Sequence, residues 1–122
     1  MSGPPPRARS REPFFWALFS SGGMLSALVL PAIAFLLWVA GPAGWVDLRP
    51  EAGILDLALH PLGRLFLGAL VVLSLFHWAH RFRYTLYDGL QLKHLNALIA
   101  VICYGGAAAG SLAAVLVLAT LR

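Results

Sequence analysis

The chain has 122 residues, of which 60% are apolar and only 11% are charged. An ordinary soluble domain carries roughly 25% charged residues, and a soluble protein this small has too little interior to bury so much apolar surface. The composition therefore predicts an integral membrane protein with a single domain over residues 1–122. Nine basic and five acidic residues give a net charge of +4. The basic residues flank apolar runs, so we expect them to orient the chain in a bilayer and not to bind nucleic acid.

Apolar runs predict an all-α fold with three transmembrane helices. The predicted spans cover about 14–40, 62–82 and 95–121. Each exceeds the roughly 20 residues that cross a bilayer. The first is free of charge and contains Pro31, which neighbouring helices can tolerate in a membrane.

Two segments outside the spans are polar. Residues 1–12 are predicted to form a flexible tail, because they are rich in proline and arginine. The loop between the first two spans carries several charges and three prolines. A short helix is predicted within it, over Glu51 to Leu59.

Lysine and arginine are distributed unevenly between the two predicted membrane faces. Six lie on the side that holds the N-terminal tail and the loop between spans two and three, namely Arg7, Arg9, Arg11, Arg81, Arg83 and Lys93. At most three lie on the other side, namely Arg49, Arg64 and Arg122. Basic segments stay in the cytoplasm, so we expect a cytoplasmic N-terminus and a periplasmic C-terminus.

Two spans carry small residues at spacings that let helix backbones approach closely. The first has a patch at 20–26, and the third has Gly106, Gly110 and Ala114 at intervals of four. One patch could serve the internal bundle and the other a second protein of a complex, although glycine is also simply common in membrane helices. Cys103 lies in an apolar stretch and is expected to pack as a small hydrophobe.

Ionisable side chains cluster where the second span ends. On a helix, His77, His80, Arg81 and Tyr84 form one stripe, which Asp88 extends if the helix continues. Ionisable groups at membrane depth are costly and point to a function. Arg83, the fourth basic or histidine residue of the run, falls off the stripe and is interpreted as an orientation charge.

Trp16 is expected at the depth of His80 and Arg81, because the first span runs antiparallel to the second. An indole N–H, imidazoles and a guanidinium can together hold a quinone, whose two carbonyl oxygens need donors and whose redox chemistry needs a proton path. The competing interpretation of Trp16 is the ordinary aromatic belt of a membrane protein.

Haem is the rival cofactor for the histidines. A bis-histidine haem needs ligands on facing helices, whereas His77 and His80 share one span, so a partner would have to supply the second ligand. His60 and His94 have no partner at metal-ligand spacing, and no metal site is predicted. The chain has no soluble catalytic motif and is not expected to be an enzyme by itself.

The first span begins with a specific pattern. The stretch 11–27, REPFFWALFSSGGMLSA, together with His80-Arg81 and Asp88 seven residues after the arginine, resembles the D subunit of bacterial fumarate reductase. The length, three spans and orientation also match, so the resemblance covers nearly the whole chain. The loop at 41–63 and the third span match only in character.

The resemblance implies a hydrophobic anchor in the bacterial inner membrane. Such an anchor pairs with the C subunit of the complex, and on the cytoplasmic face the pair holds the iron–sulfur (B) subunit together with the flavoprotein (A) subunit. It implies that menaquinol is oxidised near that face, with electrons passing to flavin to reduce fumarate to succinate in anaerobic respiration. The resemblance further implies that quinol is bound by residues that correspond here to Trp16, Arg81 and His80.

The chain also departs from the family pattern. Further histidines are expected after the His-Arg pair, whereas this chain has Phe82, Arg83, Tyr84 and Tyr87. Tyr84 or Tyr87 could act as a hydroxyl donor in their place. A succinate dehydrogenase-type anchor with haem b stays open as the alternative, as does an anchor whose partners alone bind quinone.

Overall fold

A computed structural model describes residues 10–49 and 54–121, whose regular structure is entirely helical. The main helices are α1 (Glu12–Phe35), α2 (Ile54–Leu59), α3 (Pro61–Tyr84) and α4 (Asn96–Thr120). Helix α1 continues as a π-helical turn over Leu36–Ala40, and α3 does so over Thr85–Gly89; a 3₁₀ turn at Lys93–Leu95 leads into α4. Three helical stretches are long and apolar enough to cross a membrane, namely Glu12–Ala40, Pro61–Gly89 and Lys93–Thr120. The predicted three-helix fold is confirmed.

The helix of the second span, α3 with its π-helical turn, extends through Gly89, about two turns beyond the predicted end near residue 82. No proline interrupts this stretch, and the chain reverses only where Gln91 takes a φ of 55°. At the other end, His60 caps α3, because its Nδ1 accepts the backbone N–H of Leu62 at 3.2 Å. Pro61 occupies the first turn, where its missing N–H costs nothing.

The connecting segments are described only in part. Helix α2 covers the last six residues of the short helix predicted over Glu51 to Leu59, and residues 50–53 lie outside the described residues. The predicted tail falls mostly on residues 1–9, which also lie outside them. Glu12, the last residue of that predicted tail, already belongs to α1.

Helix α3 lies at the centre of the bundle, between α1 and α4. Among the described residues, α1 and α4 make no contact with each other. The core packs α3 against α4 around Ala79, Ile99, Cys103 and Ala107. Cys103 is a buried free thiol in this cluster, as predicted. We call the end where α1 begins, α3 ends and α4 begins the N-terminal end, and the opposite one the far end.

Small residues of α1 bring its backbone onto α3. A Cβ added at Gly22 would lie 2.6 Å from the carbonyl oxygen of Leu73. One turn further on, the hydroxyls of Ser26 and Ser74 hydrogen-bond at 2.7 Å. The patch on the first span therefore serves the internal bundle. The patch on α4 is divided: a Cβ added at Gly106 would meet no atom within 4 Å, whereas one at Gly110 would lie 3.1 Å from Cδ1 of Leu75 on α3.

Two arginines have defined partners at the far end. Arg64 of α3 donates from Nη2 to the carbonyl oxygen of Leu121 at 2.6 Å and so ties the end of α4 to the start of α3. In the loop after α1, Arg49 pairs with Asp47 at 2.6 Å on the exposed surface. The hydrogen bonds from Arg49 lower the pKa of the Asp47 carboxyl from its ordinary value.

Candidate functional site

A cavity of about 460 Å³ opens at the N-terminal end, in the groove that α1 and α4 leave over α3. Its volume lies in the range of small-molecule sites, which are mostly apolar with a few polar groups. The lining follows that pattern and comprises Phe15, Trp16, Leu18, Phe19, Val72, Leu73, Phe76, His77, His80 and Tyr104. All three membrane helices contribute to it.

Trp16 and His80 come together at this cavity, as the antiparallel spans predict. Their ring centroids are 6.4 Å apart, in an edge-to-face arrangement. Phe19, one helical turn after Trp16, packs against both rings at centroid distances of 5.9 Å and 4.6 Å. The indole is still 60% exposed, so one face of it is open to a ligand or a partner.

Phe19 of α1 contacts His77 through both its backbone and its ring. The Nδ1 of His77 lies 3.0 Å from the backbone carbonyl oxygen of Phe19, and the two rings stack at 4.4 Å with an interplanar angle of 19°. A carbonyl oxygen only accepts, so Nδ1 carries the proton and Nε2 of a neutral ring is an acceptor. A Cβ at Gly23 would lie 2.5 Å from His77 Cε1, so the imidazole occupies space that only glycine leaves open.

His80 is held from the opposite side of the bundle. Its Nδ1 lies 2.8 Å from the phenolic oxygen of Tyr104 on α4. The ring of Tyr84 packs one turn away, at a centroid distance of 4.9 Å from His80. His80 is half-buried and links the core of the bundle to the cavity.

Arg83 does more than carry an orientation charge. It donates from Nη2 at 2.8 Å and from Nε at 3.3 Å to the side-chain oxygen of Asn96. Its guanidinium also lies 5.7 Å from the ring centroid of Tyr104, within cation–π distance. Arg83 therefore turns back into the α3–α4 interface and supports the residue that holds His80.

Arg81 does not line the cavity. Its side chain is exposed, and within residues 10–49 and 54–121 its guanidinium makes no hydrogen bond or ion pair. Asp88, which the longer helix places one to two turns further on, is exposed as well. The stripe thus divides into two imidazoles that face the cavity and charged groups at the surface of the N-terminal end.

The positions of the four histidines bear on whether the chain could bind a metal ion or haem. The described residues hold no group of three His, Cys, Asp or Glu side chains that could bind a metal ion. His77 and His80 both lie on α3, and the Nδ1 of each is engaged by another residue. His60 caps a helix, and His94 is exposed in the 3₁₀ turn.

Phe19 and Tyr104, which contact the two histidines of the cavity, are among the lining residues that sequence reasoning missed, although each leaves a signal. Phe19 lies three residues after Trp16 and so shares its helix face. Tyr104 is a phenol in the middle of a glycine- and alanine-rich span, where a polar aromatic group needs a hydrogen-bond partner. The sequence does not show in which order the three membrane helices pack side by side. In the structure, α3 lies between α1 and α4.

Comparison with known proteins identifies the family of the chain. The model of the fumarate reductase D subunit family matches residues 6–119. The fumarate reductase D subunit of Mycobacterium tuberculosis (strain ATCC 25618 / H37Rv) is 49% identical over 105 residues, which cover 86% of this chain and 84% of the relative. The D subunit of Actinobacillus succinogenes is 33% identical over 82% of this chain and 92% of its own, and that of Vibrio cholerae 30% over 80% and 75%. The chain belongs to the fumarate reductase D subunit family and is a membrane subunit of that enzyme.

Proposed function

We propose that this chain is the non-catalytic anchor of a fumarate reductase complex and that its N-terminal end forms part of a menaquinol site. The C subunit is the proposed partner in the bilayer. The iron–sulfur (B) subunit, together with the flavoprotein (A) subunit, is proposed to bind on the cytoplasmic face of the inner membrane. The observation that carries the proposal is the apolar cavity in which Trp16 and His80 lie 6.4 Å apart.

The lining supports a flat, apolar ligand with polar ends. Phe15, Phe19 and Phe76 offer aromatic surface to a quinol ring. The Trp16 indole supplies an N–H donor for one quinol oxygen, and the imidazole of His80 supplies a group that can both accept and donate a proton. These residues bind and orient the quinol, whose two electrons leave toward the iron–sulfur protein while its two protons leave through ionisable groups.

Arg81 is proposed to act from the rim of the site. Its exposed guanidinium follows His80 directly in the chain and is available to a quinol oxygen or to a neighbouring protein of the complex. A fixed positive charge there favours negative charge that develops on the quinol oxygen as protons leave. The excess of basic residues at this end supports a cytoplasmic location for it.

Replacement of tryptophans at the two ends of the first span tests the proposal. In the assembled complex, Trp16→Leu should strongly lower fumarate reduction driven by a menaquinol analogue and leave reduction driven by a viologen dye intact. Trp38→Leu is the matched control, because Trp38 is exposed on the same span about 33 Å further along. Equal quinol-driven rates in the two variants and the unchanged complex would refute the site.

A further inference from the structure

The contact between His80 and Tyr104 carries a further inference, which rests on the proposed quinol site. The Tyr104 hydroxyl lies 2.8 Å from Nδ1 of His80 and is contributed by a different helix. The opposite ring nitrogen, Nε2, has no hydrogen bond among the described residues, and His80 lines the cavity. The Tyr104 contact thus leaves Nε2 as the nitrogen through which His80 can meet a ligand.

The two histidines of the cavity differ in what faces Nδ1. His77 faces a backbone carbonyl, which only accepts and therefore keeps the proton on Nδ1. His80 faces a phenol, which both donates and accepts. If the phenol accepts from Nδ1–H, then Nε2 is a proton acceptor; if the phenol donates to Nδ1, then Nε2–H is a donor.

We propose that Tyr104 is a positioning residue that aims Nε2 of His80 at the quinol and lets that nitrogen both take up and release a proton. In quinol oxidation, one of the two O–H bonds of the quinol breaks and an N–H bond forms at Nε2, while Nδ1–H donates to the phenolic oxygen; the second O–H bond breaks at the other oxygen, and its proton leaves to water. The released electrons pass to the iron–sulfur protein. His80 then loses a proton to water, and its neutral ring is again held by Tyr104.

The surroundings of Tyr104 fit this role. Its ring is half-buried beside the α3–α4 core, and the Arg83 guanidinium lies 5.7 Å from the ring centroid. Asn96 in turn fixes Arg83 by two hydrogen bonds. The phenol is therefore held on its own helix and by α3, so its hydroxyl can restrict rotation of the His80 ring.

Removal of the hydroxyl alone is the appropriate test, since Tyr104→Phe keeps the ring that packs on the core. In the assembled complex we expect kcat for quinol-driven fumarate reduction to fall about tenfold, as for the loss of one hydrogen bond that matters in the transition state. The KM for quinol and the viologen-driven rate should change little. The solvent deuterium isotope effect on kcat should increase, because proton transfer becomes slower.

Two further variants make the outcome decisive. Ser111→Ala removes another hydroxyl from α4, seven residues away, and should leave every rate unchanged. Combining Tyr104→Phe with His80→Phe should be no slower than His80→Phe alone, because Tyr104 acts through that ring.

Each contrary result has its own meaning. An unchanged kcat and isotope effect in Tyr104→Phe, beside a slow His80→Phe, overturns the role of Tyr104 and keeps the quinol site. Unchanged quinol oxidation in His80→Phe overturns the part of His80 in the site itself. Equal loss of quinol- and viologen-driven rates in Tyr104→Phe assigns the phenol to assembly and also overturns the inference.

Discussion

The imidazole of His77 and the ring of Phe19 form a double contact across the α1–α3 interface. Their rings stack at 4.4 Å, and the same histidine lies 3.0 Å from the Phe19 carbonyl oxygen. Adjacent glycines make this approach possible. Gly22 brings the two backbones together, and Gly23 leaves the space that the imidazole fills.

The contact predicts that Gly22→Ala weakens the bundle. A Cβ at this position would lie 2.6 Å from the Leu73 carbonyl oxygen, and backbone cannot move aside as a side chain can. We expect a loss of about 1–3 kcal/mol in stability, the usual cost of overpacking, measured as a lower melting temperature of the detergent-solubilised complex. Gly68→Ala is the matched control, because its added Cβ would meet Leu118 at an ordinary 3.6 Å. Equal melting temperatures for the two variants would contradict the close approach.

Gly23→Ala should behave differently from its neighbour. Here the added Cβ would meet only the ring of His77, which can rotate away. We therefore expect a complex that assembles and melts normally but oxidises quinol more slowly, because His77 loses its contact with Phe19. The readout is the ratio of quinol-driven to viologen-driven fumarate reduction. A ratio equal to that of the unchanged complex would mean that the His77 geometry does not matter to the site.

Arg64 should contribute to stability and not to quinol chemistry. It donates to the Leu121 carbonyl oxygen at the C-terminal end of α4, where a positive charge is favourable by about 0.3–2 kcal/mol. Arg64→Met should lower the melting temperature with no change in the ratio of the two activities. Arg49→Met is a suitable comparison, because among the described residues that arginine pairs only with Asp47, on the exposed surface, and the change should leave the melting temperature unchanged. Indistinguishable melting behaviour of Arg64→Met and Arg49→Met would argue against the link between α3 and α4.

Replacement of Arg81 and of Arg83 should have different effects, because Arg81 is exposed next to His80 and Arg83 is hydrogen-bonded to Asn96 in the α3–α4 interface. Arg81→Leu should lower quinol-driven fumarate reduction while viologen-driven reduction persists, because an exposed cation beside His80 is lost. Arg83→Leu should disturb the α3–α4 interface, so assembly and thermal stability should suffer before either activity does. The same activity ratio in Arg81→Leu and the unchanged complex would remove Arg81 from the site.

Much of this architecture could be predicted from the sequence. The spans follow from uncharged runs, and the antiparallel order of the first two places Trp16 beside His80 without further information. Cys103 could be assigned to the core from its apolar surroundings. The extension of α3 to Gly89 was conditional in the sequence, since the residues after Phe82 are polar enough to fit either a helix or a loop.

Other features depend on tertiary packing that periodicity does not encode. Arg83 falls off the predicted stripe, yet it turns toward Asn96 because α4 packs on that side of α3. Tyr104 meets His80 for the same reason. The hydrogen-bond partners of His80 and Arg83 could therefore be named only once the order of the helices, with α3 in the middle, was known.

Photolabelling of the assembled complex would show whether quinol binds in this cavity. An azido-naphthoquinone would be bound to the intact complex, photolysed, and mapped by peptide mass spectrometry, with excess menaquinol analogue as competitor. We expect competitor-sensitive labels on peptides that contain Phe15–Phe19 and Val72–His80, with loss of labelling in Trp16→Leu. Labels confined to the other proteins of the complex, or labels on these peptides that the competitor does not reduce, would contradict quinol binding in this cavity.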